Sequence, residues 1–344
     1  MSDSLPSLAP RHFDFSNSTE IYRYGDRKVD RIGEEYILKR VPLQTNSERA
    51  THCFVQDCGA SIPVPFVYAE WASDSGSRGP QHHLLMGRIA GKTVGKAWPD
   101  LSPRLRHHAA QQVVTYMERL SEFRSDRLES ISHRRLPINC FIPKHNRART
   151  HLAGRWRTDD EIWTHEFLPA LRVERADRDT IALVQRTMPP CAGQLVFTHG
   201  DLFNNNVMIH APTGEVTGVI DWESAGFWPA WFQYARIAVG CTPADGEWKA
   251  TLSELMRDRI PHADHGRVWW CAVQEVLHEP GSRLARAWLA LLVRYLSGEN
   301  VDLGRYKDVD VGAPSSSLST VSTRLNAYGG MGDAGYYSSA LGRN

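Results

Sequence analysis

The chain has 344 residues, 42% of them hydrophobic and 23% charged, a composition typical of a globular protein with a sizeable core. Its 40 Lys and Arg residues balance 39 Asp and Glu residues, and the net charge of +1 gives no general attraction for nucleic acid or an anionic membrane. The N-terminus lacks a basic start followed by an apolar stretch, no window approaches about 18 apolar residues, and the six cysteines are scattered, which together predict a cytoplasmic protein without a membrane span.

The first part of the chain predicts a flexible start followed by a small β lobe. Residues 1–18 are rich in Ser and Pro and are predicted to be flexible. The runs EIYRYG, KVDRIG and YILKR are rich in β-branched and aromatic residues and are punctuated by Gly25 and Gly33, a pattern that predicts strands. Ser47 is the predicted N-cap of one helix that ends near Cys58, and the segments IPVPFVYAEW and HHLLMGRIAG are predicted to be extended.

The middle of the chain is predicted to be mainly helical. Ser102 followed by Pro103 is a typical helix start, and apolar residues then recur at steps of three and four. Residues 124–157 are rich in Arg and His, which predicts a solvated basic surface; the open alternative is that some of these arginines line the site of an acidic substrate. Further helices are predicted at 161–174, 177–187, 247–260, 264–279 and 282–297, with short strands at 194–197, 206–210 and 216–221. The Gly- and Ser-rich tail, residues 308–344, is predicted to be disordered.

The most informative segment is LVFTHGDLFNNNVMIHAPTGEVTGVIDWESAGFWP, residues 195–229. Asp201 and Asn206 lie in one loop between apolar runs, and Asp221 follows the next predicted strand. Phosphoryl transfer from ATP needs a carboxylate that orients the attacking hydroxyl and oxygen ligands that hold Mg²⁺. A strand–loop–strand arrangement can bring these three side chains to a common point. The tryptophans that follow are predicted to be core residues rather than a stacking platform for substrate: Trp222, Trp228 and Trp231.

The motifs HGDLFNNN and IDWE resemble the HxDxxxxN and IDxE pattern of the aminoglycoside phosphotransferase and choline kinase superfamily. The resemblance implies an α+β, bilobal protein-kinase-like fold, with a small antiparallel β lobe that carries one helix and a larger, mainly helical lobe. It implies that Asp201 is the catalytic base and that Asn206 and Asp221 bind Mg²⁺. It also implies that His199 supports the catalytic loop structurally, whereas Glu223 is left as a residue that structures the loop.

The same resemblance extends to the small lobe. Lys39 in YILKR matches the family's nucleotide lysine, and Glu48 matches the helix acid that pairs with it. MGRIAGKTVGKAWPDL resembles the family's hinge stretch, so groups near Met86, Arg88 and Ile89 are expected to receive the adenine. Residues 19–92 would then form the nucleotide-binding lobe and hinge, and residues 93–307 the lobe with the catalytic loop and substrate pocket. No GxGxxG motif is present, so only position suggests a phosphate-covering loop at residues 24–27.

These residues predict transfer of the γ-phosphate of ATP, with Mg²⁺, to a hydroxyl of a small molecule. One alternative is a nucleotide-binding pseudokinase that acts as a partner module. The presence of all three residues Asp201, Asn206 and Asp221 argues against it. A protein kinase is the other, against which the absence of an HRD form and of an APE-like segment argues. No nucleic-acid or membrane partner is expected. The sequence does not indicate the acceptor, the choice of ATP or GTP, or the oligomeric state, although no acidic cluster suited to a polycationic aminoglycoside is present at its C-terminal end.

Overall fold

The structure is a computed structural model that describes residues 13–42, 48–74, 80–133, 136, 154–193, 195–238 and 242–301. Its strands are β1 (Ser18–Tyr24), β2 (Arg27–Ile32), β3 (Tyr36–Pro42), β4 (Val67–Asp74), β5 (Pro80–Gly87), β6 (Lys92–Thr93), β7 (Arg124–Ser125), β8 (Leu195–Thr198), β9 (Val207–His210), β10 (Glu215–Val219) and β11 (Gly226–Pro229). Its helices are α1 (Glu48–Asp57), α2 (Val94–Ala97), α3 (Pro103–Ser121), α4 (Asp159–Ile162), α5 (Leu168–Val173), α6 (Arg178–Arg186), α7 (Phe232–Arg236), α8 (Pro243–Met256), α9 (Ala263–His278) and α10 (Arg283–Leu296). No helix in these ranges is long and apolar enough to cross a membrane.

The described residues form two compact units. The first contains those up to Ala109 together with Asn204–Glu223, and the second contains those of Ala110–Phe203 and Ser224–Met331. The first unit is built on antiparallel sheet and the second is mainly helical, which confirms the predicted kinase-like α+β class. The boundary between residues 92 and 93 stays a prediction, and the tail at 308–344 lies outside the described residues.

The main sheet of the first unit has five antiparallel strands in the order β1-β2-β3-β5-β4. Side chains alternate between its two faces along each strand. On β3, Ile37 packs in one apolar cluster with Val29 and Leu84, whereas Leu38 packs in another with Trp71. Because Lys39 is two residues beyond Ile37, it lies on the Ile37 face of the sheet.

The start of the described chain packs on the Leu38 face of this sheet. The ring of Phe13 meets Tyr36 edge-on at a centroid distance of 5.2 Å, and the ring of Phe15 lies 6.1 Å from that of Trp71. Strand β1 already begins at Ser18. Within the segment 1–18, Phe13 and Phe15 therefore cover apolar surface of the sheet. Residues 1–12 lie outside the described part, and the flexibility of the segment stays a prediction.

A second sheet of the first unit has the order β10-β9-β6. The antiparallel hairpin of β9 and β10 places Val207 opposite Val219, and β6 pairs with the other edge of β9. Helix α2 follows β6 directly and is capped by the Thr93 hydroxyl, which accepts a hydrogen bond from the backbone N–H of Lys96 at 3.2 Å. Its strand β10 ends at Val219, directly before the IDWE motif.

The second unit contains the sheet β7-β8-β11 and most of the helices. Local capping residues determine where helices of this unit begin. Helix α8 begins at Pro243, four residues before its predicted start, because Thr242 accepts a hydrogen bond from the N–H of Asp245 at 3.2 Å. The prediction of core tryptophans is confirmed, since Trp222, Trp228 and Trp231 are all fully buried.

Candidate active site

Lys39 lies at the centre of a buried charge cluster in the first unit. Its Nζ is 2.9 Å from Glu48 Oε2, 2.6 Å from Asp221 Oδ1 and 3.2 Å from Glu223 Oε2. These acids come from helix α1 and from the segment after β10, so residues far apart in sequence meet at one ammonium group. The Lys39 side chain is only 5% exposed, and a lysine is almost never buried to this extent unless it is paired.

Glu48 is the first residue of α1, and both of its carboxylate oxygens are engaged. Oε2 accepts from Lys39, and Oε1 accepts from the backbone N–H of Trp222 at 3.1 Å. Burial favours the neutral acid, but the Lys39 ammonium and His52 hold the pKa of Glu48 well below its usual range. The pairing of Lys39 with Glu48 agrees with the prediction, whereas the predicted N-cap Ser47 lies outside the described residues.

Asp221 and Asn206 lie on neighbouring segments at the end of the β9–β10 hairpin. The carbonyl of Asn206 accepts from the N–H of Ile220 at 2.9 Å, which places Asn206 beside the segment that carries Asp221. Asp221 has a φ of +66°, a left-handed conformation that is uncommon for residues other than glycine. Such backbone strain is found preferentially at functional sites.

Glu223 joins the cluster through Arg27, the first residue of β2. Nη1 of Arg27 donates to both carboxylate oxygens of Glu223, at 2.9 and 2.7 Å. Burial favours the neutral acid, but the charges of Arg27 and Lys39 keep the pKa of Glu223 below its usual value. Glu223 is therefore an ionised member of the site and not only a residue that shapes the loop.

The donor set of this cluster fits a hard divalent cation. Glu48, Asp221 and Glu223 each bring a carboxylate oxygen within 4.8 Å of the others, and Mg²⁺ prefers carboxylate and carbonyl oxygens. The Lys39 ammonium already contacts all three acids, and Glu48 uses both oxygens in hydrogen bonds. Asp221, with Asn206 beside it, is consequently a more suitable pair of metal ligands than any pair that includes Glu48.

An open pocket lies on the same face of the first unit. It offers about 480 Å³ of space, including space open to solvent, and combines apolar side chains with a basic rim. The lining residues are Ile21, Arg31, Ile37, Arg88, Ile89, Gly91, Lys92, Thr93, Lys96 and Met208.

The three hinge residues predicted to receive adenine do not all lie in the pocket. Arg88 and Ile89 line the pocket, whereas Met86 is packed in the apolar cluster of the sheet. The backbone N–H of Arg88 donates to the carbonyl of Glu35 at 2.7 Å, and its guanidinium pairs with Glu34 at 2.9 Å. The backbone N–H of Arg88 is thus already engaged within the unit.

In the second unit, Asp201 is held by helix α7 and by its own loop. Nη2 of Arg236 donates to Asp201 Oδ1 at 2.9 Å, and Nε of Arg236 donates to the carbonyl of Gly200 at 3.0 Å. The backbone N–H of Asp201 donates to Nδ1 of His199 at 3.1 Å, and Gln233 accepts from the N–H of Gly200 at 2.8 Å. Arg236 therefore orients the carboxylate, and the other hydrogen bonds hold the backbone of the loop that carries it.

Four residues of these two clusters were not expected from the sequence in their present roles. Glu223 is part of the IDWE motif, but no neighbouring residue in the sequence indicates its ion-pair partner. Arg27 was considered only because of its position in a possible phosphate-covering loop. Gln233 and Arg236 lie in FQYAR, a run without any chemical motif. Their partners become apparent only in the folded chain.

Fold and site together define a kinase-like phosphotransferase. The sequence comparison agrees, because residues 14–269 of the 344 match the phosphotransferase enzyme family (APH). The chain belongs to this family of phosphotransferase enzymes. No curated protein sequence matches the chain significantly.

Solved structures of the same fold are distant in sequence. A thermostable mutant of aminoglycoside phosphotransferase APH(4)-Ia, in ternary complex with ADP and hygromycin B, has a TM-score of 0.50 at 15% identity, over 92% of this chain and 95% of that one. Another APH(4)-Ia structure has a TM-score of 0.49 at 16% identity, over 87% and 95% of the two chains. The streptomycin–ATP–APH(2")-IIa ternary complex has a TM-score of 0.47 at 14% identity, over 80% and 90%. At these sequence identities a structural similarity shows the fold alone. Of the three structures, only the first has a TM-score high enough to support the shared fold.

Proposed function

We propose that the chain transfers the γ-phosphate of ATP to the hydroxyl of a small molecule, with Mg²⁺ as its cofactor. The observation that carries this proposal is the buried contact of Lys39 with both Glu48 and Asp221. In kinase-like enzymes a strand lysine paired with a helix acid positions the phosphates, and an aspartate on a later segment binds the metal. The same three residue types meet here at hydrogen-bond distance.

The pocket lined by Ile37 is the proposed place of the nucleotide base. Ile37, which lines the pocket, and Lys39 lie on one face of β3, two residues or about 6.7 Å apart. A base packed against Ile37 would therefore direct its phosphates toward Lys39. The APH(4)-Ia structure that shares this fold holds ADP, which is consistent with a nucleotide site in such a fold.

Each residue then has a distinct role in the transfer. Lys39, oriented by Glu48, holds the phosphates, and Asn206 and Asp221 would hold Mg²⁺. When bound, the ion would neutralise charge on the β- and γ-phosphate oxygens. Asp201 orients the acceptor hydroxyl and takes its proton as the hydroxyl oxygen bonds to the γ-phosphorus and the bond to the β–γ bridging oxygen breaks, which releases ADP. Positioning and charge stabilisation supply most of the rate gain in such a scheme.

We propose a neutral or anionic alcohol as the acceptor in preference to a polycationic aminoglycoside. The segment 124–157 is basic in sequence, and no acidic cluster marks the C-terminal end. Of its described arginines, Arg155 pairs with Glu129 at 2.7 Å and Arg157 lies 3.3 Å from Asp126, with side chains 37% and 53% exposed. These partly exposed side chains remain accessible to an anionic ligand.

The test is ADP release by the purified protein with ATP, Mg²⁺ and a panel of alcohols. Asp201→Asn should lower kcat by roughly 10³-fold, because the amide cannot accept the proton, while nucleotide binding measured by calorimetry stays unchanged. Asp179→Asn, at an exposed position of α6, is the matched control and should retain full activity.

Three outcomes would contradict the proposal. Near wild-type turnover by Asp201→Asn would refute its role as the base. Nucleotide binding without turnover of any alcohol would favour the pseudokinase alternative. Labelling of a peptide array with no labelling of alcohols would favour the protein kinase alternative.

A further inference from the structure

Arg27 is a buried cation at the edge of the metal and phosphate site. It begins β2 directly after the turn that contains Gly25, and its side chain is only 6% exposed. Its guanidinium contacts both oxygens of Glu223, a residue 196 positions later in the chain. The β1–β2 turn is thereby tied to the segment that directly follows Asp221.

Glu223 is shared between two cations. Its Oε2 lies 2.7 Å from Arg27 Nη1 and 3.2 Å from Lys39 Nζ. With Glu48 and Asp221 included, two cations face three carboxylates, so these five side chains together carry one net negative charge. Charges interact strongly where water is largely excluded, so this balance controls how tightly a divalent cation is held.

We propose that Arg27 is a positioning residue that neutralises Glu223 and so prevents this carboxylate from competing with Asp221 for the divalent cation. The inference rests on the proposed function, because it takes Asp221 and Asn206 as the ligands of the metal. Without Arg27, one ammonium would face three acids and the group would carry two net negative charges. Glu223 would then be available as an additional ligand, and the metal would be held more tightly.

The experiment is a titration of the nucleotide-free, full-length protein with Mn²⁺, followed by electron paramagnetic resonance. Arg27→Met should tighten Mn²⁺ binding about tenfold, and Glu223→Gln should weaken it about tenfold. The double variant restores the net charge and should lie within about twofold of the wild type. Arg27→Lys keeps the charge and should resemble the wild type, as should Arg23→Met, which removes an exposed arginine from the neighbouring strand.

A structural role alone predicts a different order of affinities. If Arg27 merely holds the turn, Arg27→Met would weaken Mn²⁺ binding or leave it unchanged, and Glu223→Gln would not restore it; either result overturns the inference. Should Arg27→Met fail to fold, Glu223→Gln and the double variant, which leaves no carboxylate without its partner, still give the decisive comparison: about tenfold weaker Mn²⁺ binding for the first and near wild-type binding for the second.

The two proposals fail in distinguishable ways. Wild-type protein that binds Mn²⁺ while all variants bind it equally overturns the role of Arg27 and leaves the proposed function standing. Wild-type protein that binds no Mn²⁺ contradicts the metal site itself and removes the basis of the inference.

Discussion

Lys39 shows how much of this site depends on single side chains. Its ammonium contacts three carboxylates within 3.2 Å in a place that water hardly reaches. Each acid alone would be costly to bury, and the shared cation offsets that cost. The arrangement is consequently sensitive to loss of the cation and less sensitive to loss of the cation together with one acid.

Lys39→Met should lower the free energy of unfolding by about 3 kcal/mol, because three carboxylates then remain buried around a thioether. Adding Glu48→Gln should recover part of this loss, since it removes one uncompensated charge. Urea denaturation measures both effects. Arg23→Met, which breaks an exposed ion pair with Glu20, is the control and should change stability by no more than about 0.5 kcal/mol. A Lys39→Met protein as stable as the wild type would contradict the charge cluster.

The orientation of Asp201 also depends on single side chains. Arg236 contacts both the carboxylate and the carbonyl of Gly200, and His199 accepts the backbone N–H of Asp201. A side chain fixed at its carboxylate and at its backbone loses little conformational entropy when a substrate binds. These contacts give the predicted base a fixed orientation.

At the scale of elements, helix α2 and the loop before β9 pack unusually closely. The N–H of Gly95 donates to the carbonyl of Asn204 at 2.9 Å, and the Thr93 hydroxyl donates to Asn205 Oδ1 at 3.2 Å. A Cβ on Gly95 would lie 2.5 Å from Asn205 Oδ1 and 3.0 Å from Asn204 Cγ. Asn204 and Asn205 thereby fix the loop that leads into Asn206.

Gly95→Ala should therefore displace this loop. We expect a loss of about 1–3 kcal/mol in the free energy of unfolding and a clear fall in kcat, because Asn206 moves with its neighbours. Gly246→Ala is the matched control: a Cβ there meets nothing within 4 Å, and alanine in helix α8 should stabilise by up to about 1 kcal/mol. Equal stability of the two variants would contradict the close packing of α2 on the loop.

At the scale of the whole molecule, one histidine gives stability a defined pH dependence. His83 on β5 stacks on Trp71 at a centroid distance of 4.9 Å and contacts the Ser73 hydroxyl at 2.6 Å. Burial, with smaller contributions from the charges of Arg40 and His82, lowers the pKa of His83 from 6.5 to about 4. The unfolded chain therefore binds a proton at this residue over a pH range in which the folded chain does not.

Because the unfolded state binds more protons between pH 6.5 and about 4, stability should fall as the pH drops through this window. His83→Gln should flatten the slope there, as measured by urea denaturation at a series of pH values. A His83→Gln protein with the full wild-type slope would show that other groups cause it.

Prediction from the sequence succeeded where a local pattern was sufficient. The β-branched and aromatic residues of YILKR predicted the strand that carries Lys39, and the apolar run before Asp221 placed that acid just after a strand. Helix α3 begins where Ser102 and Pro103 predicted, with the N–H of Leu105 3.4 Å from the Ser102 hydroxyl. The motifs HGDLFNNN and IDWE indicated the family, and the match of the family model over residues 14–269 confirms it.

The sequence by itself determined the class of enzyme and the strands and helices that carry its polar residues, because periodicity, capping and short motifs act over a few neighbouring residues. Only the tertiary structure decided that Arg27 pairs with Glu223, that Arg236 pairs with Asp201, and that Phe13 and Phe15 cover a face of the sheet. These partners are separated by up to 196 residues, and no local preference selects one among many arginines or acids. Their pairing follows from which side chains folding buries together, since a buried charge must find an opposite one.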